Sequence, residues 1–264
     1  MCEATRTPVP EADAARDPNS YLNTWGSNMG ISDDVKNGID GVLSPPWSTR
    51  NGTVVPNTEN IVLRDGAVNI DATYLYADLA QSSLLGQKIR KEVAAKVIRS
   101  YLNAATRLLR NYGGEIRSFD GDRVLAIFSG DAKNTNAVRA AFALNWAVKN
   151  VLRPKFTAKW PDLSDTWTAN HGVGIDTGEA MLVRGGVRNN NDLISIGAAP
   201  NVAAKLSELR DSPDIYITKA VYNLMAEKNK VSNDGKKNMW STYGDVKVGS
   251  VSYTVYGTSW TWSP

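Results

Sequence analysis

A change of hydrophobic period between residues 67 and 128 limits what this chain can fold into. The run AVNIDATYLYAD, closing at Asp78, is rich in β-branched and aromatic residues and reads as a strand, followed by a loop of small polar residues. From Gln87 to Tyr112 apolar residues recur at helical spacing: Ile89, Val93, Val97, Tyr101, Ala105, Leu108 and Tyr112. Gly113-Gly114 then stop that helix, as glycine does just beyond a C-terminus. EIRSFDGDRVLAIF follows as a hairpin turning at Gly121-Asp122. A second helix is predicted from about Thr135 to Val151, with Ala140, Leu144, Ala147 and Val148 on one side. GVGIDTGEAMLVRGG reads as a hairpin around Thr177-Gly178, NDLISIG as a short strand, and APNVAAKLSELR as a helix with Pro200 in its first turn. PDIYITKAVYNLMAE supplies one more strand and helix, and YTVYG a closing strand. The order is β-α-β-β-α-β, then more. That is an α+β fold of the ferredoxin-like split-βαβ type, an antiparallel-dominated sheet with flanking helices over one face.

This layout gives two aspartates a common address. Gly-Asp between two strand-like runs is ordinary turn chemistry, and by itself Asp122 is a turn residue. In a split-βαβ sheet, however, the first strand lies beside the third and antiparallel to it. The end of the first strand, Asp78, and the turn before the third, Asp122, therefore reach the same edge. Two carboxylates so placed repel unless a cation sits between them. They are a natural seat for Mg²⁺ or Mn²⁺ carrying a polyphosphate.

Composition narrows the remaining chemistry. The 264 residues are 42% apolar and 22% charged, enough for a substantial core, and the net charge of +3 gives no reason to expect nucleic acid. No run of about eighteen apolar residues offers a membrane span, and the N-terminus lacks the apolar stretch of a signal peptide, so a cytoplasmic protein without membrane partners is expected. With one cysteine, Cys2, and one histidine, His171, a thiolate–imidazole zinc site lacks ligands. No G-x-S-x-G elbow accompanies His171, which reads as structural. Residues 1–66 form an N-terminal extension, with 1–20 mobile, and its Trp25 and Trp47 are expected to pack on something; residues 67–264 form the catalytic domain.

Four short motifs, in order over residues 68–257, resemble those of the class III nucleotidyl cyclases. YADLAQSS (76–83) is similar to the family's first metal motif, and GGEIRSFDGDRVLAIF (113–128) follows the second without a gap. GIDTGE (174–179) and SIGAAPNVAAKL (195–206) resemble the next two. The resemblance implies that Asp78 and Asp122 hold two Mg²⁺ or Mn²⁺ ions, with the Leu79 carbonyl as a further ligand. Ser83 and the backbone N–H groups of 80–83 would hold phosphate. Asn201 matches the asparagine that positions the ribose, and Lys205 stands where the family has an arginine facing the phosphorus, supplying charge without the planar fork. The phosphate-binding arginine corresponds to Arg184 or Arg188, with Asn189 in the matching column.

The base-reading positions depart from the family. Ser118 and Ile194 stand where adenylate cyclases carry a lysine and a polar residue and guanylate cyclases use others, so a different base is expected. With intact metal aspartates and no recognisable sensor domain, the chain resembles the pyrimidine nucleotide cyclases of Pycsar bacterial antiphage systems. That resemblance implies a cyclase making cyclic UMP or cyclic CMP from the nucleoside triphosphate. It also implies a homodimer with sites at the interface and a separately encoded effector that responds to the product. An adenylate cyclase and a non-catalytic module of the same fold are the alternatives. A diguanylate cyclase is disfavoured because Gly113-Gly114 end a helix and do not form the hairpin turn. A dinucleotide site is disfavoured because GVGIDTG opens no helix. The basic residues of 86–110 interleave with apolar ones at core spacing and read as a solvated outer face.

Overall fold

The computed structural model describes residues 30–209 and 212–264, so Cys2, Trp25 and residues 1–20 lie outside the described residues. The chain divides into two compact units, Met1–Pro45 and Pro46–Pro264. In the first, helix α1 (Ile31–Leu43) carries Asp33 and Asp34 in its first turn, where the helix dipole favours negative charge. Ile31, Val35, Ile39 and Val42 recur along it at helical spacing, all of them exposed.

The second unit is built on one sheet. Strand β1 (Ser48–Gly52) pairs in parallel with β2 (Gly66–Leu79), so the sheet begins ahead of residue 67. Trp47, just before β1, is largely exposed, against the expectation that it packs. After β2 the chain turns in two residues, Ala80 and Gln81, with Gln81 in the left-handed region. The expected loop is thus shorter: Ser82 starts α2 (Ser82–Lys88), and buried Leu85 anchors that helix. The long helix α3 runs Lys91–Asn111, separated from α2 by Ile89 and Arg90 rather than continuous from Gln87. It ends as its glycines dictate. Gly113, at φ +84°, donates to the Arg110 carbonyl and Gly114 to that of Leu109, a Schellman closure.

The hairpin then forms from β3 (Glu115–Asp120) and β4 (Arg123–Phe128), turning at Gly121-Asp122. Helix α4 (Lys133–Ala147) is buried around most of its circumference and passes through a π-helical stretch, Val148–Leu152, into α5 (Arg153–Lys159). Next comes β5 (His171–Val187), a single strand of 17 residues. The hairpin expected at Thr177-Gly178 does not form there. Both residues pair with β2, and the Thr177 hydroxyl bonds to the Ala72 carbonyl and to Thr73, so the sheet overrides local turn chemistry. The reversal falls instead at Arg188-Asn189, with Asn189 at φ +70°, and leads into β6 (Asn190–Ile196). Helix α6 (Ala198–Ser207), β7 (Ile215–Thr218), α7 (Lys219–Leu224), β8 (Ser241–Val248) and β9 (Val251–Thr258) complete the unit.

Among the described residues the sheet has nine strands in the order β3-β4-β2-β5-β7-β9-β8, with β1 beside β2 and β6 beside β5. Its first four strands have the split-βαβ order. Only β1/β2 and β5/β7 are parallel. Helices cover both faces, not one. On one face α3 and α4 bury Leu75, Ala77, Val124, Ala126, Phe128 and Val173 in the main core. On the other, α6 lies over Tyr74, Leu125 and Leu182. Gly174 is what lets α6 approach, because a Cβ there would collide with the α6 backbone at Ala203 and Ser207.

His171 is a core residue, as its sequence context suggests. It is 3% exposed and stands edge-on to Tyr101, with Asn145 Oδ1 3.2 Å from its Nε2. Burial pushes its pKa down to about 4; Lys149 and Arg153 push the same way, and Asp214 opposes them. Asp214 itself is held below the usual carboxylate range. Burial alone would raise it, but the Lys149 ammonium 2.6 Å away more than offsets that.

Candidate active site

The register of β2 against β4 sets the first half of the site. Asp78 pairs with Arg123, which places Asp122, one residue earlier in the turn, at the same edge of the sheet. Asp78 is buried at 6% exposure and Asp122 is half-buried. Arg123 balances the charge: its guanidinium lies 3.4 Å from Asp78 Oδ2 and 3.1 Å from Glu208 Oε1. Burial works against that cation, but Glu208 and Asp78 more than compensate, and its pKa is raised. Glu208 also meets Lys205 Nζ at 3.5 Å, so ion pairs run Asp78–Arg123–Glu208–Lys205.

The donor set suits a hard divalent cation. It consists of carboxylates and the adjoining Leu79 backbone, without thiolate or imidazole. No group of three or more His, Cys, Asp or Glu side chains able to hold a metal occurs among the described residues. Remaining ligands would therefore be water and substrate phosphate oxygens. Ser83 lies in the first turn of α2, close in sequence to this edge.

The second half is a pocket of about 230 Å³ on the α6 face. Its lining brings together three residues that the sequence singles out, Ser118, Ile194 and Asn201. Ser118, Leu125 and Tyr76 stand side by side across β3, β4 and β2, so their side chains share a face. Asn201 and Lys205 are four residues apart on α6 and project from one side of it; Asn201 Nδ2 donates to the Gly197 carbonyl. Ile194 packs against Gly185 across the β5–β6 pair.

Three polar lining residues were not anticipated: Tyr76, Ser195 and Arg117. Tyr76 and Ser195 lie inside quoted motifs, and strand alternation places Tyr76 on the opposite face from Ala77. Burial raises the Tyr76 hydroxyl pKa; Arg123 opposes and Asp120 adds to the shift. Arg117 also lies inside a quoted motif, but simple strand alternation would put it on the face opposite Ser118, and only the β-bulge turns it into the pocket. The two arginines expected at phosphate are absent from this lining. Arg184 is half-buried and donates through Nε to Asn191 Oδ1 at 2.6 Å, and Arg188 is exposed at the tip of the β5–β6 hairpin.

The architecture recurs in solved structures. The adenylyl cyclase CyaB from P. aeruginosa superposes with a TM-score of 0.63 at 24% identity, covering 73% of this chain and 95% of that one. The guanylyl cyclase Cya2 does so with 0.59 at 18%, covering 74% and 95%. The fold is that of the class III nucleotidyl cyclases. No protein-family model matches the chain. A protein of Rhodovulum sp. (strain MB263) named uridylate cyclase is 42% identical over 214 residues, 80% of this chain and 89% of that protein. One of Xanthomonas perforans with the same name is 36% identical over 239 residues, 89% and 99% respectively. At this identity and coverage the chain belongs to the uridylate cyclase family of nucleotidyl cyclases.

Proposed function

We propose that the chain converts UTP to cyclic 3′,5′-UMP and pyrophosphate, with CTP as the alternative pyrimidine substrate. The observation that carries this reading is the pocket in which Ser118, Ile194 and Asn201 meet, in a chain whose relatives are named uridylate cyclase. Residues 67–264 carry the catalysis and 1–66 extend it. In the reaction the ribose 3′-oxygen attacks the α-phosphorus in line and pyrophosphate leaves. Asn201 orients the ribose, Lys205 places positive charge at the phosphorus, and Ser83 holds a terminal phosphate, with Arg184 or Arg188 as a second phosphate contact. Asp78, Asp122 and the Leu79 carbonyl hold two Mg²⁺ or Mn²⁺ ions. When bound, these ions acidify the 3′-hydroxyl and neutralise phosphate charge.

Both halves come from every copy of the chain, so a two-fold homodimer assembles two sites, the carboxylates of one protomer meeting Asn201 and Lys205 of its partner. Among the described residues no helix is long and apolar enough to cross a membrane. The cyclic product acts in the cytoplasm as a second messenger of antiphage defence on a separately encoded effector.

The test is an equimolar mixture of the four ribonucleoside triphosphates with Mn²⁺ or Mg²⁺, products identified by mass spectrometry. A pyrimidine should be cyclised at least about tenfold faster than either purine, roughly 1.4 kcal/mol in transition-state binding. Mainly cyclic AMP or cyclic GMP would overturn the reading.

A further inference from the structure

A half-buried, donor-only cation points into the pocket with its hydrogen bonds largely unmet. In the β3–β4 ladder Ile116 pairs with Ala126 and Ser118 with Leu125, so Arg117 is an extra residue opposite no partner. Such a bulge sets two successive residues against one and re-aims their side chains. Ile116 packs on the α3 side of the sheet, whereas Arg117 and Ser118 both line the pocket on the α6 side. The Arg117 side chain is only 16% exposed. Its contacts are at the limit of reach: Asp192 Oδ1 at 3.9 Å, from a side chain that is itself 66% exposed, and Thr58 Oγ1 at 3.5 Å. Its Nε is buried without a hydrogen-bond partner. An arginine offers five N–H donors and no acceptor, and leaving one buried and unmet is costly.

We propose that Arg117 reads the base, donating to the C4 carbonyl oxygen of uracil. The assignment rests on the uridylate cyclase reading, and it supplies the base contact that Ser118 and Ile194 leave open. The donor-only side chain gives the direction of the preference. Uracil presents an acceptor at C4, where cytosine presents an amino group. A guanidinium facing that amino group sets donor against donor and leaves both unpaired, so cytosine is rejected at the atom where the two pyrimidines differ. Adenine's amino group meets the same obstacle. Serine at 118 is small enough to leave the guanidinium its space, and the hydroxyls of Ser118, Ser195 and Tyr76 are present to accept the neighbouring ring N–H.

The experiment measures kcat/KM for UTP, CTP and the triphosphate of 2-pyrimidinone riboside, which lacks the 4-oxygen of uridine and, with it, the N3–H. The full-length enzyme is compared with Arg117→Met and Arg117→Lys. Wild-type enzyme should lose about tenfold or more on removal of the 4-oxygen, the scale of one charge-assisted hydrogen bond. Arg117→Met should lose a similar factor with UTP, show a clearly smaller loss from UTP to the analogue than wild type does, and bring UTP and CTP together. Arg117→Lys should restore part of the preference. The wild-type comparison needs no variant to fold, and equal rates with UTP and the 4-deoxy analogue overturn the proposal by themselves. So does a folded Arg117→Met enzyme that keeps the wild-type UTP/CTP ratio. A wild-type enzyme that prefers a purine fails the uridylate reading itself, and that result is seen before any variant is made.

Discussion

The two faces of the sheet are furnished by the same strands for opposite purposes. Beneath α3 and α4 the side chains are apolar and closed to water, from Leu75 and Val124 to Phe128, which presses against Gly114. Beneath α6 the cover is partial, and the strands present Tyr76, Ser118 and Arg117 to a pocket. Alternation along β2 and β4 makes this division, because successive side chains leave on opposite faces. The first face is closed core throughout, whereas the second combines a smaller core around Tyr74 and Ile127 with an open pocket. Substitutions should therefore separate cleanly into those that unfold the protein and those that silence or redirect it.

The largest effect is expected at the edge the two faces share. Asp122→Asn retains the turn chemistry and removes the charge. It should leave the melting temperature near wild type while abolishing cyclisation; a stable variant with most of its activity would return Asp122 to the role of turn residue. Complementation comes next. Asp78→Ala and Asn201→Ala chains should each be inactive alone and regain activity when mixed, since each heterodimer contains one intact site. Mixed dimers that are shown to form and remain inactive would rule out a site shared between protomers.

On the packed face the expected readout is stability. Phe128→Ala empties a site that is 1% exposed and should cost about 3–5 kcal/mol by denaturant unfolding, with the nucleotide preference of the folded fraction unchanged. A change in preference would mean that the faces are coupled. The smallest effect concerns pH. His171 titrates at about 4 when folded against 6.5 for the free side chain. Between those values the unfolded chain binds a proton that the native state refuses, so stability falls as pH drops through that window. Urea midpoints at about pH 7.5 and about pH 5 should differ in that direction, and His171→Gln should lose that part of the slope.

How much of this was legible in the sequence follows the same division. Asp78 and Asp122 could be placed together because strand order alone determines which strand ends meet, and the Gly113 stop and Gly121 turn depend only on local chemistry. The Thr177-Gly178 turn was misread because turn propensity is local, whereas β2 offers an unbroken partner along that stretch. Helices on both faces were missed because the close approach of α6 depends on Gly174, a residue silent in any hydrophobic pattern. Arg117 was invisible for a further reason. A bulge is a mismatch between two strands, and neither strand records it separately.

The guanidinium of Arg123 has a consequence for the protein's idle life. Carboxylates gathered for a metal normally make the empty enzyme pay in self-repulsion, so that its survival depends on the ion supply. Here the chain provides its own counter-charge, 3.4 Å from Asp78 and tied down by Glu208. With Asp78 and Asp122 as the proposed metal ligands, the ion-free protein should melt at nearly the same temperature in EDTA as in Mg²⁺.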